Sequence, residues 1–161
     1  VWLYQHAGDY GYDKNEIYLS GSSAGGHLAM VMAMTDWSNY LNVSGNLIKG
    51  ICAVSGIYDL TPISQTYINK PLQLTETEIL NFSPLLNNEY QSLKDCQLIF
   101  AYGDNETSEF KRQTNTIKTQ IENLGQRATV AEITNRNHFD VILDLANTDS
   151  WLSQQVFKQM S

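Results

Sequence analysis

Three positions in this sequence carry side chains that could together turn a hydroxyl into a nucleophile. Ser23 stands at the centre of Gly21-Ser22-Ser23-Ala24-Gly25, a Gly-x-Ser-x-Gly pattern. Asp104 and Glu106 follow an apolar run that ends at Tyr102, and His138 follows another through the polar turn Thr134-Asn135-Arg136-Asn137. A serine hydroxyl is a weak nucleophile until a neutral imidazole removes its proton, and a carboxylate then fixes the imidazole tautomer and stabilises the imidazolium. The residue types point to acyl transfer through a covalent serine intermediate. They leave the acid open: Asp104 is the commoner type for the role, while Glu106 has a longer reach from one turn further on.

The surroundings of Ser23 impose a mechanical requirement. Ile17-Tyr18-Leu19 is a short apolar run and Ala24 to Met34 has a helical apolar pattern, so the chain must turn sharply from strand into helix with the serine at the tip, in a strained backbone conformation. Small residues at Gly21 and Gly25 are expected, because larger ones would collide with the neighbouring strand or helix. At a helix amino end, unpaired N–H groups and the helix dipole favour developing negative charge. The Ala24 N–H is therefore the expected half of an oxyanion hole. His27, one helical turn after Ser23, points along the helix and reads as a packing or hydrogen-bonding residue, and His6 has no site around it. No histidine and cysteine spacing resembles a zinc site, and the chemistry calls for no metal or cofactor.

The elements that must position these groups alternate. A helix end over Val1 to Gly11 is followed by a strand over Glu16 to Ser20, the helix from Ala24 to Met34 with Leu28, Val31 and Met32 on one side, and a strand over Lys49 to Ser55. After Gly56-Ile57-Tyr58-Asp59-Leu60 the chain leaves the sheet for short helices and turns up to Leu86, with a capping box expected at Thr75 and Glu78. A strand over Gln97 to Tyr102, a helix over Glu109 to Leu124, a strand over Ala128 to Ile133, and helices over Phe139 to Ala146 and Trp151 to Met160 complete it. Alternation of this kind predicts an α/β fold, a parallel sheet with helices on both faces. In such sheets ligands gather beyond the carboxyl ends of the strands, where Ser23, the two acids and His138 all fall.

Composition excludes several other functions. The 161 residues suffice for one domain with a core, and a net charge of −7 without any run of Lys or Arg argues against nucleic acid as a partner. Cys52 and Cys96 lie in apolar runs and are expected as reduced core thiols, consistent with a cytoplasmic setting. No apolar run approaches the roughly 18 residues of a membrane span, and the opening residues are not those of a signal peptide. A small molecule is the expected partner, and the reading allows a homo-oligomer.

The order Ser, acid, His is that of α/β-hydrolases, and four segments carry a closer likeness: IYLSGSSAGGHLA from Ile17, VSGIYDLTPI from Val54, ETSEFKRQ from Glu106 and HFDVI from His138. In them the chain resembles the arylformamidase (kynurenine formamidase) branch of that fold. The resemblance implies a single α/β-hydrolase domain over residues 1–161, the carboxyl-terminal portion of the fold with its opening strands missing. It implies cleavage of an aryl formamide, N-formylkynurenine in tryptophan breakdown, through a formyl-enzyme on Ser23. Its register makes Glu106 the acid ahead of Asp104. The family's early His-Gly-Gly loop, which supplies the other oxyanion donors, has no counterpart in residues 1–16, so the chain alone is expected to be a poor catalyst. Two other functions remain open on the sequence: a general carboxylesterase with the same triad, and a non-catalytic half-domain.

Overall fold

Four apolar runs become the four strands of one sheet, β1 (Ile17–Ser22), β2 (Ile48–Val54), β3 (Gln97–Gly103) and β4 (Ala128–Ile133), in the computed structural model, which describes residues 1–43, 46–87 and 89–161. The strands lie in sequence order, every neighbouring pair parallel. β2 is buried at every position except Lys49, as a strand covered on both faces should be. Strand bounds agree with the sequence reading to within two residues.

Helix α1 (Trp2–Tyr10) precedes the sheet, and α2 (Ala24–Met34) joins β1 to β2. Three short helices, α3 (Thr61–Ser64), α4 (Asn69–Leu72) and α5 (Glu76–Phe82), occupy the excursion before β3. The expected capping box opens α5: the Glu78 N–H donates to Thr75 Oγ1 at 3.2 Å, and the Thr75 N–H donates to Glu78 Oε2 at 2.8 Å. Helix α6 (Ser108–Asn123) joins β3 to β4, and α7 (Trp151–Gln159) ends the described architecture. Because each crossover steps one strand in the same direction, right-handed connections place the crossover helices on a common face. The packing agrees: Ile51, Ala53, Leu98 and Phe100 meet Ala29, Met30, Ile117 and Ile121 in one core, while Cys52, Val54, Ile99 and Ala101 meet Val141 and Leu152 in the other. Adjacent residues of β2 thus alternate between two cores, which is the period-2 signature of a strand.

Three expectations are corrected. Helix α2 buries Gly26, Ala29, Met30, Ala33 and Met34, whereas Leu28 is 58% exposed. The helix is apolar nearly all round, so periodicity could not choose its face. Close backbone approach chooses it: a Cβ on Gly26 would lie 2.9 Å from Gly56 Cα and 3.2 Å from the Val54 carbonyl oxygen. Helix α6, expected to run to Leu124, ends at Asn123, and Leu124 is 54% exposed as the residue that follows it. The segment expected as a helix from Phe139 is a 3₁₀ helix over Val141–Ala146. The Asn137 side chain accepts the Phe139 N–H at 2.8 Å, and Asp140 accepts the Asn137 N–H at 2.6 Å, so a side-chain-braced turn takes the residues that would have formed the first helical turn.

Candidate active site

The sheet ladder runs one residue past the carboxyl end of each of its first three strands. Ser23 donates its N–H to the Val54 carbonyl at 2.9 Å, Ser55 to that of Ala101 at 2.7 Å, and Asp104 to that of Ile133 at 3.0 Å. The loops that leave the sheet are therefore pinned at their first residue. Ser23 has φ 55° and ψ −117°, a left-handed conformation that costs a non-glycine residue about 1–3 kcal/mol. Its side chain is thereby thrown clear of both strand and helix. Gly21 makes the turn possible, since a Cβ there would sit 2.3 Å from the Gly25 carbonyl carbon and oxygen. Gly25 does not have the role expected of it: nothing lies within 4 Å of a Cβ built there, and Gly26 is the second close approach.

The side chains of Ser23, His138 and Glu106 form one hydrogen-bonded chain. His138 Nε2 lies 3.0 Å from Ser23 Oγ, and His138 Nδ1 lies 2.9 Å from Glu106 Oε2. A carboxylate only accepts, so Nδ1 carries the proton and Nε2 is left as an acceptor for the serine hydroxyl. The imidazole is 23% exposed and the Glu106 carboxylate is fully buried. Burial of a carboxylate is costly unless donors replace water. Its donors are the His138 Nδ1–H, the Ser55 hydroxyl at 2.5 Å and the Gly103 N–H at 2.7 Å, the last two both on Oε1. The Phe110 ring stacks on the imidazole with centroids 4.3 Å apart and planes 27° apart. Phe139 meets it edge-on at 5.5 Å while remaining 85% exposed.

Asp104, the other acid, is directed elsewhere. Its carboxylate accepts the Arg136 N–H at 3.2 Å and its carbonyl accepts from Lys111 Nζ at 2.7 Å. It braces the turn ahead of His138, and the Arg136 guanidinium in turn pairs with Asp144 at 2.7 Å. Ala24 is the first residue of α2, where its N–H has no carbonyl a turn earlier to meet. His27 donates from Nε2 to the Phe82 carbonyl at 2.7 Å, tying α2 to the end of the excursion. His6 bonds the Trp2 carbonyl and stacks on the Trp2 ring, away from this chain of contacts. Among the described residues no group of three or more His, Cys, Asp or Glu is placed to hold a metal ion, and no helix is long and apolar enough to cross a membrane.

Sequence reasoning assigns no site role to Ser55, Gln113 or Phe110, although all three lie in segments that carry the family likeness. Gln113 is buried and satisfies four groups. Its Oε1 accepts the Tyr58 and Asp59 N–H groups at 2.6 and 2.8 Å, while its Nε2 donates to the Asp59 carbonyl and to Glu109. Arg112 spans Glu109 at 2.6 Å and Asp59 at 3.6 Å, and its hydrogen bond holds the Glu109 carboxyl below the usual range. These contacts clamp the loop after β2 onto the first turns of α6. The available signal for Ser55 is position: it is a small polar residue directly after a nearly continuous apolar strand, level with Ser23 and the acid loop.

Comparison with known proteins agrees with this architecture. A family described as BD-FAE matches residues 1–102. A kynurenine formamidase of Salmo salar is 40% identical over 147 residues, covering 89% of this chain and 49% of that protein. One of Danio rerio is 36% identical over 146 residues, with the same two coverages. The chain thus spans about half the length of the curated relatives it matches. Among solved structures, carboxyl esterase 2 of Tuber melanosporum aligns with a TM-score of 0.66 at 15% identity, over 99% of this chain and 57% of that one.

Proposed function

Because this chain belongs to the BD-FAE family, has the α/β-hydrolase fold and is arylformamidase-like in sequence, we propose that it carries the catalytic residues of a serine hydrolase that cleaves an aryl formamide. The observation that carries the reading is the unbroken contact chain from Ser23 Oγ through His138 to Glu106, at 3.0 and 2.9 Å. His138 Nε2 takes the hydroxyl proton as Oγ attacks the formyl carbon, and the Ala24 N–H faces the oxyanion that forms. Collapse returns the proton to the departing aryl amine and leaves a formyl ester on Ser23. Water, deprotonated by the same imidazole, then releases formate. Glu106 keeps the imidazole in the tautomer that accepts from serine and stabilises the imidazolium at both steps.

N-formylkynurenine is the proposed substrate, supported by the two kynurenine formamidase relatives and by the exposed Phe139 ring beside His138, an apolar surface against which an aryl group would pack. The test is turnover of N-formylkynurenine and of a short aryl ester by the full-length gene product, with Ser23→Ala as the blank. Losing the nucleophile should remove several powers of ten in rate, roughly what such triads lose. Serine-dependent cleavage of the ester with none of the formamide would make the protein a carboxylesterase. Equal rates with and without the Ser23 hydroxyl would refute the reading.

A further inference from the structure

Ser55 lies at the carboxyl end of β2, next in the sheet to the strand that carries Ser23, and it is fully buried. Its backbone, like that of Ser23, is left-handed, with φ 48°. Two contacts hold it there: its N–H donates to the Ala101 carbonyl at 2.7 Å, and its hydroxyl donates to Glu106 Oε1 at 2.5 Å. An extended φ at this residue would continue the β2 direction instead of turning the hydroxyl toward the acid loop. The positive φ thus accompanies the hydrogen bond that the hydroxyl makes to Glu106.

That bond acts on the orientation of Glu106. A glutamate has three side-chain torsions, and the terminal one is broad and roughly two-fold, so a buried carboxylate needs more than one contact to fix which oxygen faces its partner. Here Oε1 is held by the Ser55 hydroxyl and the Gly103 N–H, which leaves Oε2 for His138 Nδ1. Among the described residues, no Lys or Arg is paired with Glu106. Arg136 is paired with Asp144, Lys111 with Glu132, Arg112 with Glu109, and Asp104 accepts the Arg136 N–H, so Glu106 is the charged group in contact with the imidazole. We infer that Ser55 is a positioning residue: through its hydroxyl it sets the Glu106 carboxylate so that His138 is held ready to accept from Ser23. The inference rests on the triad reading above.

Two substitutions separate hydroxyl from backbone. Ser55→Ala removes the donor and keeps a Cβ in the left-handed conformation; Ser55→Gly removes the donor and suits that conformation, so it folds at least as readily. In the full-length gene product both should lose about 10- to 100-fold in kcat on the aryl formamide, the loss of one hydrogen bond to a charged group, with KM unchanged. In proton NMR of the free protein, the deshielded signal of the His138 Nδ1–H against Glu106 should be lost or moved upfield in both variants. Ser55→Gly with wild-type kcat and an unchanged proton signal would overturn the inference. So would a fall in kcat with that signal intact, because the damage would then lie elsewhere. Absence of Ser23-dependent turnover in the wild type would count against the proposed function alone. The proton signal would still decide whether Ser55 sets the Glu106–His138 pair.

Discussion

Alanine at Gly21 and alanine at Gly25 should have opposite effects, although both are the glycines of one Gly-x-Ser-x-Gly motif. A Cβ at position 21 would lie 2.3 Å from the Gly25 carbonyl carbon and oxygen and 2.9 Å from the Gly26 nitrogen, all backbone atoms of the first turn of α2. Restoring an ordinary contact of about 3.5 Å requires that turn to retreat by about 1.2 Å, since no side-chain rotamer can relieve it. Overpacking of this kind costs about 1–3 kcal/mol, which for a chain of this size lowers Tm by roughly 2–12 °C. The same retreat carries Ser23 with it. Its Oγ is 3.0 Å from His138 Nε2, so a shift of about 1 Å breaks that contact and should cost on the order of 10²-fold in turnover. A Cβ at position 25 meets nothing within 4 Å, and the residue is helical, so alanine there should stabilise by up to about 1 kcal/mol. Circular-dichroism melting of both variants, with Ser23-dependent turnover beside it, makes the comparison. Destabilisation by Gly25→Ala equal to that by Gly21→Ala, or a Gly21→Ala protein with unchanged Tm, would refute this account of the turn.

Three further outcomes are expected. Under the proposed mechanism Glu106→Gln should lower kcat by on the order of 10³- to 10⁴-fold, because an amide can donate to Nδ1 and stabilise the wrong tautomer. Asp104→Asn should stay within about tenfold of wild type, since its amide oxygen still accepts the Arg136 N–H, and a larger loss in the Asp104 variant would reverse the two assignments. Burial pushes the Cys52 thiol up to about 11 and the Cys96 thiol up to about 12, so neither should react with a thiol-specific disulfide reagent at about pH 8 until the chain is unfolded in urea. A rapidly reacting thiol in the folded protein would contradict their burial.

Legibility in the sequence divides along physical lines. Strand β2 is readable because a strand buried on both faces is almost wholly apolar, Lys49 alone interrupting the run, and α2 because the strand-turn-helix motif fixes where it starts. Facing was not readable where composition is uniform: α2 is apolar on all sides, and what selects its buried face is the approach of Gly26 to the backbone at Val54 and Gly56, a contact between segments far apart in sequence. The two acids, two residues apart, differ in type and reach in ways that favour opposite choices, so residue type alone does not decide between them. What distinguishes them is that the turn ahead of His138 occupies the Asp104 carboxylate, while Gly103 and Ser55 gather on that of Glu106. Contacts with a serine 51 residues away have no local signature.

The two sequence segments that carried the family likeness besides the elbow and the histidine prove to be halves of one clamp. Ser55 to Leu60 leaves β2 with a strained first residue, and strain of about 1–3 kcal/mol would be released by any relaxation of that loop. Gln113 prevents it from the α6 side by accepting the N–H groups of Tyr58 and Asp59 and donating to the Asp59 carbonyl, and Glu109 holds the Gln113 amide in turn. Tyr58 adds weight: its ring is fully buried, packs edge-on to Phe100 at 5.5 Å, and lies directly behind Gly56. Movement of the loop would therefore expose an aromatic ring and leave backbone donors unpaired, penalties of about 1–3 kcal/mol for each buried group left unsatisfied. Those penalties match or exceed the strain, so the left-handed conformation at Ser55 is the stable one. The hydrogen-bond and ion-pair partners of the Glu109, Arg112 and Gln113 side chains lie outside the three side chains of the proposed triad, yet through the loop they hold the hydroxyl that contacts its acid. Residues so placed would travel with the site in related sequences even though a search for reacting groups would pass over them.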